Sequence, residues 1–149
     1  MQTLIYKIKN KLYGFSKEAS KLKRPSYEEL IKYRSFIPNK NNKFILSCGA
    51  GRSGQNWFSK IFNSHPNWIG TAERFEDFEA FYRYVTYYSL PIDKEGVFEL
   101  FRLASKRDFA KYQNTFISSP YFSFGIKELF LKLKPNYLFF HLRNPIYAV

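Results

Sequence analysis

Two apolar runs frame the informative part of this chain. Phe44-Ile45-Leu46-Ser47-Cys48 ends at a glycine, and Tyr137-Leu138-Phe139-Phe140-His141-Leu142 runs into Arg143-Asn144-Pro145. Short continuous apolar runs bounded by turn residues predict buried strands. Between them the apolar positions fall at helical spacing. Trp57, Phe58, Ile61 and Phe62 form one stripe over 55–63, closed by Pro66 and Asn67. Phe78, Phe81, Tyr82, Val85 and Tyr88 predict a helix over 76–90, and Val97, Leu100, Phe101 and Leu103 another over 94–105. A further helix is expected over 127–134, ended by Pro135. Strand, helices, strand in this order implies an α/β fold, a parallel sheet with crossover helices. Two strands are few for an independent sheet.

Ahead of this region the pattern changes. Leu4, Ile5, Ile8, Leu12 and Phe15 share a helical face, with Lys7, Lys9 and Lys11 between them. This predicts a short basic amphipathic helix that packs back on its own domain or makes weak contact with a membrane surface. It lacks the apolar centre and cleavage site of a signal peptide, so a cytoplasmic chain is expected. Ser26-x-x-Glu29 has capping-box spacing, predicting a second helix over 26–35. Pro38 and the Asn39–Asn42 stretch read as a linker. The expected organisation is a basic helical arm and linker over 1–42 and a core domain over 43–149.

Charge follows the same division. The chain has 149 residues and a net charge of +12, with 24 basic and 12 acidic side chains. Residues 1–43 hold 11 of the basic and 3 of the acidic groups, so most of the excess belongs to the arm. A basic balance attracts polyanions such as nucleic acid, anionic lipid or phosphorylated and sulfated ligands. Its position in the arm and the lack of a nucleic-acid motif argue against a nucleic-acid partner. The bland alternative is a lysine-rich solvated face. A single cysteine, Cys48, excludes an internal disulfide framework, and two distant histidines, His65 and His141, make a poor metal site. Each histidine reads as a satisfied turn or core group. The aromatics at 78–88 read as core, some of them available to line an acceptor pocket.

The candidate chemistry lies just after the first strand. Gly49-Ala50-Gly51-Arg52-Ser53-Gly54 is a glycine-rich turn between a predicted strand and a predicted helix. In that context glycines admit close approach of an anion, and the helix start turns free N–H groups toward it. Arg52 adds a guanidinium fork and Ser53 a hydroxyl donor. A nucleoside-triphosphate P-loop needs Lys and then Ser or Thr next. Gln55 and Asn56 stand there instead, so no ammonium reaches a γ-phosphate and no hydroxyl holds magnesium. The pattern suits an anion site that works without a metal. A thiol phosphatase is disfavoured because Arg52 follows Cys48 too closely, and a ligand-free glycine turn is the structural alternative.

Gly51-Arg52-Ser53-Gly54, with Trp57 and the Asn63-Ser64-His65-Pro66-Asn67 stretch, resembles the start of the sulfotransferases, especially the tyrosylprotein and bacterial branch. The resemblance covers roughly residues 43–149. It implies a P-loop NTPase-like parallel sheet with flanking helices and 3′-phosphoadenosine 5′-phosphosulfate as co-substrate, with no metal. Gly49, Gly51, Arg52, Ser53 and Gly54 would cradle the 5′-phosphosulfate. Gln55 and Asn56 depart from the family's Thr-Thr but still offer amide donors. Arg143-Asn144-Pro145 matches the family's second motif, whose arginine binds the 3′-phosphate, a dianion that a guanidinium fork grips well. That motif's partner serine would fall past Val149, so an incomplete domain is expected.

By the same resemblance, Glu73 is the candidate base, Lys127 would stabilise the leaving oxygen, and Arg52 would share charge in the transition state. The plain reading of Glu73 is an acidic helix-start residue paired with Arg74 or with the helix dipole, and that of Lys127 a solvated lysine. The implied activity is sulfuryl transfer to a hydroxyl or amine of a small-molecule or glycan acceptor. The alternatives are a nonenzymatic anion- or nucleotide-binding fragment and a basic nucleic-acid-binding protein.

Overall fold

The computed structural model describes residues 24–50 and 54–142. The predicted basic helix over 4–15 therefore lies outside the described residues. After a short helix α1 (Tyr27–Ile31), the order is β1 (Lys43–Gly49), α2 (Gln55–Ser64), β2 (Trp68–Ala72), α3 (Glu76–Tyr87), α4 (Glu95–Tyr112) and β3 (Asn114–Ser118). A 3-10 helix (Pro120–Phe124), α5 (Ile126–Leu133) and β4 (Tyr137–His141) complete it. The four strands form one all-parallel sheet in the order β2-β3-β1-β4. The fold is α/β, as the alternation of elements predicts. Among the described residues no helix is long and apolar enough to cross a membrane.

Each face of the sheet has its own cover. Leu46 of β1 and Ile117 of β3 are in register, and both join Phe98, Phe101, Phe122 and Leu129 in the main core. Fully burying such side chains contributes about 1.5–3 kcal/mol each. Leu30 of α1 is buried in this same core, and Ser26 caps α1 by accepting from the Glu29 amide, as the capping-box spacing predicts. On the opposite face Phe116 stacks on Phe62 of α2, with ring centroids 4.3 Å apart.

Helix α2 lies very close to β2. A Cβ on Gly70 would sit 2.3 Å from the Ser59 carbonyl oxygen, so only glycine fits there. The Asn63 side chain then pairs with both backbone groups of Gly70, accepting from its amide at 2.9 Å and donating to its carbonyl at 2.7 Å. These bonds satisfy the outer edge of β2 as a neighbouring strand would.

The structure corrects several expectations. Strands β2 and β3 add to the two that the apolar runs predict; β2 follows the Pro66–Asn67 stop directly, and β3 is entirely buried. Helix α4 runs seven residues past the expected 105. The stripe assigned to α2 splits: Phe58 and Phe62 are half-buried against His141 and Phe116, while Trp57 and Ile61 are exposed, and the fully buried positions are Gln55, Ser59 and Asn63. A tight helix–strand approach admits small and hydrogen-bonding side chains better than large rings. The α3 aromatics are mostly outside the core too. Tyr82 is fully buried, but Phe78, Phe81, Tyr84, Tyr87 and Tyr88 are exposed. Among the described elements no helix covers strand β4 as α2 covers the other edge strand β2, so Tyr137, Phe139 and Phe140 are exposed rather than buried. The Asn39–Asn42 stretch is pinned, with Asn42 Nδ2 donating to the Gln113 carbonyl at 2.6 Å.

Candidate functional site

In a parallel sheet every strand delivers its loop to the same edge. Here Gly49 closes β1, Ala72 closes β2, Ser118 closes β3 and His141 closes β4. Chain order reverses around β1: the crossover from β1 reaches β2 on one side, while β4 lies on the other. Ligands of open parallel sheets bind in the crevice at such a reversal.

The glycine turn leaves the sheet at this crevice. Gly54 has φ of 98°, a left-handed conformation open to glycine, and serves as the N-cap of α2. It offers no side-chain cap, and the first turn of α2 holds no acid. Among the described residues no side chain caps the first N–H groups of this helix, the groups that hold anions at helix starts. Gln55, the first helical residue, is buried, and its Nε2 has no hydrogen-bond partner among the described residues. Asn56 is exposed beside it. Gly49 accepts a hydrogen bond from Ser123 Oγ at 3.2 Å. Gly51, Arg52 and Ser53 lie outside the described residues, as does Arg143. Strand β4 nonetheless pairs with β1 so that His141 is level with Gly49. The segments leading to Arg52 and Arg143 thus leave adjacent strands at the same height, about 4.8 Å apart.

Beneath the crevice is a polar strut that sequence reasoning missed. Ser118 Oγ donates to Ser47 Oγ at 3.3 Å, and Ser47 Oγ is hydrogen-bonded to His141 Nε2. Burial pushes the His141 pKa down. Ser47 and Ser118 have no exposed surface, which bars them from touching a substrate. They tie β3, β1 and β4 together under the turn. His141 packs on Phe58 at 4.6 Å, the satisfied core group expected of it. Cys48 faces the main core, and burial raises its thiol pKa, which removes the basis for a thiolate nucleophile. His65 lies in an exposed turn, where its Nδ1 accepts from the Asn67 amide at 3.2 Å.

Glu73 stands just past β2 with φ of 49°, an uncommon conformation for a non-glycine residue. Its amide donates to the Ser118 carbonyl at 2.9 Å. The expected pairing with Arg74 does not occur. Arg74 turns inward and binds Asp108 through two bonds of 2.6 and 3.0 Å, both side chains being buried. Asp108 also accepts from Thr115 Oγ1 at 2.8 Å, so the turn carrying Glu73 is anchored to α4 and β3. Half-buried Glu73 keeps its carboxylate out of that network.

A second carboxylate lies nearby. Glu79 is fully buried; its Oε1 accepts from the Phe75 amide at 2.9 Å, and its Oε2 has no close hydrogen-bond partner among the described residues, Ser119 being the nearby hydroxyl. Burial, reinforced by the charge of Glu73, pushes its pKa up to about 7 against the pull of Ser119 and Phe75. Its position four residues after Phe75 in a helix start was the sequence signal. Lys127 is the second residue of α5, exposed, with no hydrogen bond or ion pair to a described residue. Helix α5 follows β3 through the 3-10 helix, so it begins near the same edge.

Among the described residues no cluster of three or more His, Cys, Asp or Glu could hold a metal ion. Compared with protein-family models, curated proteins and solved structures, the chain has no significant match in any of the three.

Proposed function

We propose that this chain binds 3′-phosphoadenosine 5′-phosphosulfate and transfers its sulfuryl group to a hydroxyl or amine acceptor, a glycan being the acceptor class. The observation that carries this is the pairing of β4 with β1. It sets side by side, level at Gly49 and His141, the two strand ends that precede Gly51-Arg52-Ser53-Gly54 and Arg143-Asn144-Pro145 in the chain. One nucleotide with phosphates at both ends of its ribose needs two such cationic loops facing one crevice. The uncapped start of α2 and the orphan Gln55 amide supply further donors for an anion.

In the proposed step the acceptor oxygen or nitrogen attacks sulfur in line and forms a new bond to it. The bond from sulfur to the bridging oxygen breaks, and its electron pair stays on the 5′-phosphate of adenosine 3′,5′-bisphosphate. Glu73 takes the acceptor proton, a contribution worth roughly 10²–10⁴-fold. Arg52 and Lys127 neutralise charge on the leaving phosphate.

The test is calorimetric binding of adenosine 3′,5′-bisphosphate. Arg52→Ala and Arg143→Ala are each expected to weaken it at least tenfold, since each removes a charge-assisted contact of about 1.5–3 kcal/mol. Unchanged affinity in both variants overturns the reading.

A further inference from the structure

An apolar groove of about 580 Å³ opens between the start of α1, the first half of α3 and the first turns of α4. Its floor and walls include Phe75, Phe78, Phe81, Val97 and Leu100. Phe78 and Phe81 are 51% and 40% exposed, a large apolar area to leave in water. Two carboxylates, Asp77 and Asp93, stand on the lining. Neither has an ion pair with a described residue; Asp93 accepts only from the Glu95 amide at 2.9 Å.

We propose that this groove is the seat of the chain's own residues 1–23, which fold back and insert the apolar face made by Leu4, Ile5, Ile8, Leu12 and Phe15. Three observations select this occupant. First, the chain enters the described domain at the groove itself: Pro25 lines it, and Arg24 is fixed to Glu76 of α3 at 3.4 Å. A tethered segment reaches an adjacent groove at an effective concentration in the millimolar range, which a free partner must outcompete. Second, the charges match. Residues 1–23 carry six lysines and one glutamate, while the groove offers two carboxylates, Asp77 and Asp93, that are in no ion pair with a described residue. Third, the length suffices. Residues 16–23 span up to roughly 26–29 Å when extended, more than the 12-residue α3 at about 18 Å. The apolar face over 4–15 can therefore return along the groove. None of the groove's residues belongs to the proposed nucleotide site, so this seat does not depend on that reading.

The experiment uses the full chain, labelled with nitrogen-15 and carrying a nitroxide at Gly96→Cys. Gly96 lines the groove, and a Cβ there meets no atom within 4 Å, so the label is tolerated. Cys48 is 1% exposed and does not compete for it. Amide signals of residues 4–15 are expected to broaden at least fivefold relative to the reduced label at physiological salt. Asp77→Lys combined with Asp93→Lys is expected to reduce that broadening by at least half, and Ile5→Ser with Ile8→Ser to abolish it without altering the signals of β1–β4. Sharp, unbroadened signals for residues 4–15 overturn the proposal. So does broadening that appears only between differently labelled copies, which would make a second chain the occupant. Signals unbroadened in buffer but lost on adding phosphatidylserine vesicles overturn it in favour of membrane contact.

Discussion

Glu79→Gln tests how the buried carboxylate beside the candidate site responds to pH. In the folded chain Glu79 is fully buried, with one oxygen on the Phe75 amide and the other without a close partner among the described residues. Its pKa rises from 4.5 to about 7 because burial penalises the charged form. The folded protein therefore holds this proton more tightly than the unfolded chain does. Stability is highest below about pH 4.5 and falls as the pH rises toward 7, because only the unfolded chain is free to ionise. The window spans roughly two and a half pH units at about 1.4 kcal/mol each, a loss on the order of 3 kcal/mol by pH 8. The glutamine variant keeps an oxygen for the Phe75 amide and carries no charge, so this loss disappears. Urea unfolding followed by the fluorescence of Trp57 and Trp68 should show the two chains within about 1 kcal/mol of each other at pH 5. At pH 8 the variant should be more stable by about 3 kcal/mol, on the order of 10 °C in Tm. His141, pushed down by burial, contributes the opposite slope, with stability lost as pH falls, but it is common to both chains and cancels in the difference. Parallel stability curves across pH 5 to 8 would refute the reasoning.

Asp108→Ala leaves the buried Arg74 without its partner and removes the acceptor of Thr115; a loss of about 3–5 kcal/mol is expected in urea unfolding, and a loss under 1 kcal/mol would show the network is replaceable. Glu73→Gln keeps the shape of the turn but removes the proposed base. Radiolabelled sulfate transfer should fall at least 100-fold while adenosine 3′,5′-bisphosphate binding stays within about twofold, and near-normal turnover would remove Glu73 from the step.

The local signals in this chain are legible without coordinates. The apolar run before Gly49, the glycine turn and the aromatic-rich helices are consequences of periodicity and turn chemistry, which act over a few residues. They are enough to establish an α/β class and to place a glycine-rich turn ahead of α2, where Gly54 adopts φ of 98°. Strand β2 escapes because Gly70 and Thr71 weaken its apolar run, and β3 because Asn114, Thr115 and Ser118 break its own. Their burial is decided by partners such as Asn63 and Asp108, distant or on another element, which no local pattern encodes.

The site divides in the same way. That Arg52 and Arg143 each follow an apolar run is a property of the sequence. That their strands are neighbours, level at Gly49 and His141, is a property of strand order alone. The inward turn of Arg74, the Ser118–Ser47–His141 strut and the raised pKa of Glu79 arise because folding removes water from groups that the linear chain leaves solvated. Desolvation and long-range pairing are set by the whole assembly, so only the tertiary structure could decide them.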